Sequence, residues 1–209
     1  FVTSILCWYV MDCPENASLV IGHQAKTREE LRQMIAEGRY EELIREVPVK
    51  KGDFLQIIPG TIHAIKAGFL ILETQQSSDI TYRVYDYGRL VDGKPRQLHV
   101  KQSIDVTNVP DEADKKGLKH AAEIPVNQLF LLEDCEHYRV WKLQLSGSYQ
   151  LEQNYPFLIL SVLSGEGKLD GEPLKKGDHL LLPADYGMAE LSGEMELILS
   201  TTAEPEREG

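Results

Sequence analysis

The sequence predicts an all-β fold of two β-barrels with a small helical insertion, and three observations support this prediction. Short apolar segments recur at near-regular spacing from Lys51 onward, separated by Gly, Pro and Asp turns, a pattern typical of barrels and sandwiches. One turn-and-strand pattern occurs in each half of the chain. The 209 residues, 42% hydrophobic and 26% charged, suffice for one large or two small globular domains.

The internal repeat places the same turn before an apolar strand in both halves. Lys50-Lys51-Gly52-Asp53 precedes an apolar run that ends at Pro59, and Lys175-Lys176-Gly177-Asp178 precedes one that ends at Pro183. The two glycines are 125 residues apart, since 177 − 52 = 125. We therefore predict one barrel over residues 1–122, a second over residues 123–203 and a disordered tail over residues 204–209. The polar segment 111–123 is the best candidate for a linker.

Individual elements follow from apolar runs and their flanking turns. Trp8–Val10 and Leu19–Ile21 are predicted to form a pair of strands. Further strands are predicted at Phe54–Ile58, Phe69–Glu73, Thr81–Asp86, Arg139–Leu145, Phe157–Leu163, Leu180–Leu182 and Met195–Ser200.

A helical insertion is predicted at about residues 24–46. Thr27 and Glu30 have the spacing of a capping box, in which the Thr27 hydroxyl accepts from the Glu30 amide and the Glu30 carboxylate accepts from the Thr27 amide. Leu31, Met34 and Ile35 give this helix one apolar face, and Gly38 ends it. A second short helix is expected at about Tyr40–Arg45.

Charge and cysteine content restrict the classes of partner. The chain has 22 Lys and Arg against 33 Asp and Glu, a formal net charge of −11, which argues against nucleic acid or an anionic membrane surface. No stretch approaches the roughly 18 consecutive apolar residues of a membrane-spanning helix. Three cysteines without zinc-site spacing are typical of reduced thiols, which indicates a cytoplasmic protein.

His63 distinguishes the first copy of the repeat from the second. It follows the Pro59-Gly60 turn, 11 residues after Gly52, whereas the same offset from Gly177 leads to Met188. The first barrel therefore has a candidate metal ligand where the second has a thioether. The alternative is a strand histidine with a satisfied hydrogen bond, and a metal site would need further N or O ligands.

Arg83 lies in a stretch with many polar residues, from Leu72 to Tyr87. If this stretch is a barrel strand, Thr81, Arg83 and Tyr85 share one face. A guanidinium facing the barrel interior needs an anionic ligand or a carboxylate partner. An ion pair with Glu73 or Asp79 is the alternative to ligand binding. Arg89 could supply a second cation at the rim, but we expect it to be a solvated loop residue.

These residues resemble the type I, metal-dependent mannose-6-phosphate isomerases of the cupin superfamily, bacterial short form. The resemblance covers most of residues 7–110 and is looser in the second barrel. Its matching segments are Cys7–Cys13, Gly22–Thr27, Pro59–Ala64, Leu72–Asp79, Thr81–Tyr87, Leu98–Val100 and Ile104–Val106.

The resemblance implies a double cupin that interconverts mannose 6-phosphate and fructose 6-phosphate with zinc. By the same resemblance, His63 would be the last metal ligand in chain order, and Arg83 would be the active-site arginine. A hexose 6-phosphate is then the expected small-molecule partner. The second barrel is expected to hold no metal.

Two departures from the family pattern limit this expectation. The family has a Glu ligand immediately before the Cys7-Trp8-Tyr9 segment, where this chain has Leu6. The family's Gln and first His ligands, and its lysine and serine contacts to the phosphate, lie upstream of that segment. We therefore expect an N-terminally incomplete portion of the enzyme, with weak or no metal binding and little or no activity by itself. A non-enzymatic sugar-phosphate-binding double cupin and a metal-dependent oxygenase are the alternatives.

Overall fold

The computed structural model describes residues 4–78, 80–113 and 117–203, and most of its regular structure is β-strand. The chain forms two compact units, one ending at Leu118 and the other beginning at Lys119. This division falls inside the segment predicted as a linker. The division into one barrel over residues 1–122 and a second over residues 123–203 stays a prediction. The predicted tail, residues 204–209, lies outside the described residues. Among those residues, no helix has the length and apolarity needed to cross a membrane.

The first unit contains two groups of antiparallel strands, a helical segment and a small hairpin. Its elements are β1 (Leu6–Asp12), β2 (Ser18–His23), α1 (Arg28–Ala36), α2 (Tyr40–Leu43), β3 (Ile44–Pro48), β4 (Asp53–Ile57), β5 (His63–Ala64), β6 (Leu70–Gln75), β7 (Leu90–Val91), β8 (Lys94–Pro95) and α3 (Val100–Val106). A further strand, β9 (Leu118–His120), spans the division between the units.

The strands β1 and β2 are central strands of different sheets. β1 lies between β6 and β4, whereas β2 lies between β3 and β5. The prediction that their apolar segments pair with each other is therefore wrong. A short apolar run indicates a buried strand but contains no information about its hydrogen-bonding partner. The two strands meet instead through their side chains, since Leu6, Trp8 and Val10 share a buried cluster with Leu19 and Ile21.

The helical insertion begins with the predicted cap. The Thr27 hydroxyl accepts from the Glu30 amide at 3.1 Å, and α1 buries Leu31, Met34 and Ile35 as expected. The second hydrogen bond of the predicted capping box differs by one residue. The Glu30 carboxylate accepts it from the Lys26 amide, at 2.7 Å, instead of from the Thr27 amide. Glu37 caps the C-terminus, and Gly38 follows with φ +69°.

Two predicted elements differ in the structure. The second helix ends at Leu43, and the chain continues directly as β3, which pairs with β2. The predicted strand Thr81–Asp86 does not form, and the chain is irregular there. The expected alternation of Thr81, Arg83 and Tyr85 on a strand face is therefore wrong as a description of the backbone.

The second unit is built on a sheet of long antiparallel strands. Its strands are β10 (Phe130–Asp134), β11 (Tyr138–Gln153), β12 (Phe157–Leu169), β13 (Glu172–Lys175), β14 (His179–Pro183) and β15 (Gly187–Thr202). β15 lies between β11 and β12, and β12 also pairs with β13 and β14. A cluster of buried side chains, mostly leucines, forms the core of this unit.

The sequence repeat is also a structural repeat. Gly52 has φ +87° and Gly177 has φ +91°, a left-handed conformation that favours glycine. In both turns the Asp carboxylate accepts a hydrogen bond from the main-chain amide of the first Lys. The Lys50 amide lies 2.9 Å from the Asp53 carboxylate, and the Lys175 amide lies 2.8 Å from the Asp178 carboxylate. Each turn leads into a strand, β4 in the first unit and β14 in the second.

Candidate functional site

A cleft of about 390 Å³ in the first unit has both predicted site residues on its walls. His63 comes from β5, and Arg83 comes from the irregular segment after β6. Glu73 of β6 also lines the cleft. An imidazole, a carboxylate and a guanidinium thus share one cavity, which concentrates polar chemistry in a single place.

The turn before His63 is held by a distant asparagine. Gly60 has φ +82°, and the Asn108 side chain lies against it. The Asn108 side-chain amide donates to the Pro59 carbonyl at 2.7 Å, and the Asn108 main-chain amide donates to the Gly60 carbonyl at 2.9 Å. His23 is buried and contacts the Asn108 carbonyl through Nε2 at 2.8 Å.

The ring of His63 is held in one tautomer. Its Nδ1–H donates to the Thr61 carbonyl at 2.8 Å, because a carbonyl oxygen only accepts. Nε2 is then the nitrogen with the lone pair, which is the usual arrangement of a metal-binding histidine. The side chain is exposed on the cleft, and its ring lies edge-on to Trp8 with a centroid distance of 5.5 Å.

Glu73 is fixed by the indole of Trp8. Trp8 Nε1–H donates to Glu73 Oε2 at 2.7 Å, and the two residues are direct cross-strand partners in the β1–β6 register. The sequence indicated Glu73 only as a possible ion-pair partner of Arg83. Its position in the cleft depends on strand register, which the apolar pattern alone does not specify.

The backbone of Arg83 is held by His99. The His99 amide donates to the Arg83 carbonyl at 2.7 Å, and the Arg83 amide donates to His99 Nδ1 at 3.4 Å. Within the described residues, no carboxylate lies within salt-bridge distance of the Arg83 guanidinium. The alternative ion pair with Glu73 is therefore not formed, and Asp79 lies outside the described residues.

The Asp86 carboxylate forms ion pairs with two arginine side chains. Its Oδ1 accepts from Arg89 at 2.6 Å and lies 3.5 Å from Arg96. The hydrogen bond from Arg89 lowers the pKa of Asp86 below its ordinary value, with smaller contributions from the charges of Arg89, Arg96 and Arg83. Arg89, expected from the sequence to be a solvated loop residue, is exposed, bound to Asp86 and not among the residues lining the cleft.

Comparison with known proteins finds relatives that share one name. Residues 127–202 match the family "Mannose-6-phosphate isomerase, cupin domain". The chain is 47% identical over 199 residues to mannose-6-phosphate isomerase ManA of Bacillus subtilis, covering 93% of this chain and 63% of the relative. It is 44% identical over 205 residues to mannose-6-phosphate isomerase of Streptococcus mutans, covering 95% of this chain and 64% of the relative.

The chain is related in sequence to mannose-6-phosphate isomerases.

Solved structures of the family support the fold. The crystal structure of the Bacillus subtilis mannose 6-phosphate isomerase matches with a TM-score of 0.81 at 38% identity, covering 95% of this chain and 64% of that one. A mannose 6-phosphate isomerase bound with zinc and yttrium matches with a TM-score of 0.73 at 13% identity, covering 96% and 67%. The predicted all-β cupin fold is confirmed. The chain spans about 63% of the length of the curated relatives that it matches.

The described side chains do not provide the zinc site that the resemblance implies. In residues 4–78, 80–113 and 117–203, no group of three or more His, Cys, Asp or Glu side chains is arranged to hold a metal ion. His63 offers one suitable nitrogen, and Leu6 stands where the resemblance implies an acidic ligand. These residues do not make a complete metal shell.

The second unit has a different side chain at the position that matches His63. Met188 lies near the start of β15 and is 58% exposed. The other histidine of the repeat, His179, contacts the Ser161 hydroxyl through Nδ1 at 2.8 Å. That the second barrel binds no metal stays a prediction.

Proposed function

We propose that this chain contributes the His63, Glu73 and Arg83 side of the active site of a mannose-6-phosphate isomerase. The observation on which the proposal rests is the shared cleft of these three side chains. Relatives named mannose-6-phosphate isomerase, at 44–47% identity over almost the whole chain, support an isomerase over a non-enzymatic sugar-binding protein. The substrate is then a hexose 6-phosphate.

The reaction requires a base and stabilisation of negative charge. A proton leaves C2 of the open-chain aldose and returns to C1, while the proton on O2 moves to O1. The intermediate is an enediolate, whose charge rests on oxygen. Glu73 is a carboxylate on the cleft that can take the proton from C2 and return it to C1. Arg83 is a permanent cation that can face the developing oxyanion or the phosphate.

Zinc is proposed as the metal of the enzyme, as the resemblance implies. A mannose 6-phosphate isomerase of the same fold was solved with zinc bound. His63 Nε2 is the atom of this chain that would bind it, because Nδ1 is occupied by the Thr61 carbonyl. Because the described residues form no complete shell, we derive no reaction step through the metal. A cytoplasmic location and a role in carbohydrate metabolism are part of the same proposal.

The function is tested by turnover of mannose 6-phosphate in the complete gene product. Arg83→Ala is expected to lower kcat/KM on the order of a hundredfold or more, because a preorganised charge partner of the oxyanion is lost. Arg32→Ala is the matched control, since Arg32 lies exposed on α1 and pairs with Glu29. No turnover by the gene product, or full activity of Arg83→Ala, would contradict the proposal.

The 209-residue chain by itself is expected to bind zinc weakly and to show little or no turnover with added zinc. The reason is that the described residues contain no group of three or more metal-binding side chains, and that Leu6 stands where the resemblance implies an acidic ligand. Isothermal titration with zinc and a coupled assay with mannose 6-phosphate measure both properties. Robust turnover by these residues alone would show that this expectation is wrong.

A further inference from the structure

One indole contacts two of the chemically active side chains of the cleft. Trp8 Nε1–H donates to Glu73 Oε2 at 2.7 Å, and the Trp8 ring meets the His63 ring at a centroid distance of 5.5 Å and an interplanar angle of 71°. The carboxylate and the imidazole come from different sheets, since Glu73 lies on β6 and His63 on β5. Trp8 is therefore the common contact between them.

Trp8 is itself immobilised by the core. Only 2% of its surface is exposed, and it lies on β1 between β6 and β4, opposite Glu73 on one side and Leu55 on the other. Its cluster includes Leu6, Val10 and Leu55. A closely packed side chain has few alternative rotamers, so it holds the groups that contact it in fixed positions.

Both partners of Trp8 are exposed, and of the two the His63 ring is also held by the Thr61 carbonyl. Glu73 and His63 each expose more than a third of their surface. An exposed glutamate has many rotamers, and ordering one for proton transfer costs conformational entropy. A hydrogen bond from a buried donor to one carboxylate oxygen removes part of that freedom and leaves Oε1 for a ligand.

We propose that Trp8 is a positioning residue, which holds the Glu73 carboxylate through its indole N–H and the His63 ring through an edge-to-face contact. This role rests on the proposed function, because it matters for catalysis only if Glu73 and His63 act on substrate. The indole takes no part in the proton transfer.

The contact is tested first without any assay of activity. The chain has two tryptophans, Trp8 and Trp141, so an ¹⁵N-labelled sample gives two indole N–H resonances, assigned with Trp141→Phe. Glu73→Ala is expected to move the Trp8 indole proton upfield and speed its exchange with solvent, with no change at Trp141. Glu73→Gln keeps an acceptor and should show a smaller shift, because a neutral amide accepts a weaker hydrogen bond than a carboxylate.

The matched control is Glu15→Gln in the exposed turn before β2, which should leave both resonances in place. An unchanged Trp8 resonance in Glu73→Ala would overturn the proposal. These Glu73 variants alter an exposed side chain, so the test does not depend on a change in the core.

The positioning role is tested by kinetics of the complete gene product. Trp8→Phe keeps an aromatic ring but removes the donor, and we expect kcat to fall about tenfold or more with KM little changed, since a misplaced catalytic group lowers the rate of the chemical step. An unchanged kcat in folded Trp8→Phe would overturn the role. If the wild type shows no turnover at all, the proposed function fails, whereas the indole resonances still decide whether Trp8 holds Glu73.

Discussion

At the scale of single residues, the position of His63 depends on the backbone conformation of Gly60. A φ of +82° is rarely adopted by residues with a Cβ, and a Cβ at Gly60 would lie 2.7 Å from the Asn108 side chain. The same Asn108 side chain donates to the Pro59 carbonyl, so any movement away from a new Cβ breaks a contact that holds the turn. The turn and the imidazole after it are thus coupled to one asparagine.

Gly60→Ala is expected to destabilise the first unit for two reasons. The left-handed conformation costs roughly 1–2 kcal/mol for an L-residue, and the crowding against Asn108 adds to that cost. The free energy of unfolding is measured by urea titration.

Gly93→Ala is the matched control for this substitution. Gly93 has φ +74°, and a Cβ there meets nothing within 4 Å, so only the conformational cost applies. Gly60→Ala should therefore lose more stability than Gly93→Ala. Equal losses would mean that Asn108 moves aside freely.

The chemistry of the site could be predicted from residue types, but its contacts could not. His63 after a Pro-Gly turn and Arg83 in a polar stretch stand out in the sequence, and the structure places both on one cleft. Trp8 and His99 did not stand out, because their roles come from cross-strand register and a backbone contact 16 residues away in sequence. Such contacts depend on which strands become neighbours, and the apolar periodicity of a sequence does not specify strand pairing.

At the scale of elements, α1 shows how a local sequence pattern fixes a helix end. The Thr27 hydroxyl satisfies the Glu30 amide, one of the free N–H groups at a helix N-terminus. Arg28 then extends from the first turn to the carbonyls of Ile104 and Thr107 at the end of α3. The cap therefore also sets the start of a contact between two helices of the first unit.

Thr27→Ala is expected to lower the free energy of unfolding by about 1 kcal/mol, because the capped amide loses its acceptor. Thr27→Ser keeps the hydroxyl and should stay within a few tenths of a kcal/mol of the wild type. Urea unfolding followed by circular dichroism measures both variants. Similar losses in the two variants would contradict a capping role for the hydroxyl.

The turns and the helix cap that the sequence predicted correctly have a local cause. The Gly-Asp turns before β4 and β14 and the cap of α1 each depend on a few adjacent residues. The segment 81–86 was expected to be a strand from its β-branched and aromatic residues, yet it is irregular. Strand formation needs a partner edge, and this segment is held by His99 instead of by a sheet.

At the scale of the whole molecule, each unit has its own buried clusters. Leu197 is fully buried in the cluster of the second unit, where Trp141 also packs. Leu19 is fully buried in a cluster of the first unit that includes Trp8. The sequence repeat predicted two barrels, and this division of the buried leucines gives each unit a separate source of hydrophobic stability.

Leu197→Ala should therefore weaken the second unit, and Leu19→Ala the first. Removing a fully buried leucine side chain typically costs about 2–5 kcal/mol, from lost burial and the cavity that remains. The indole N–H resonances of Trp8 and Trp141 report the native population of each unit in one urea titration. Leu197→Ala should lower the urea midpoint seen at Trp141 and spare that at Trp8, and Leu19→Ala should do the reverse. If either variant moves both midpoints together, the two units unfold as one cooperative structure, because independent cores would respond only to their own cavities.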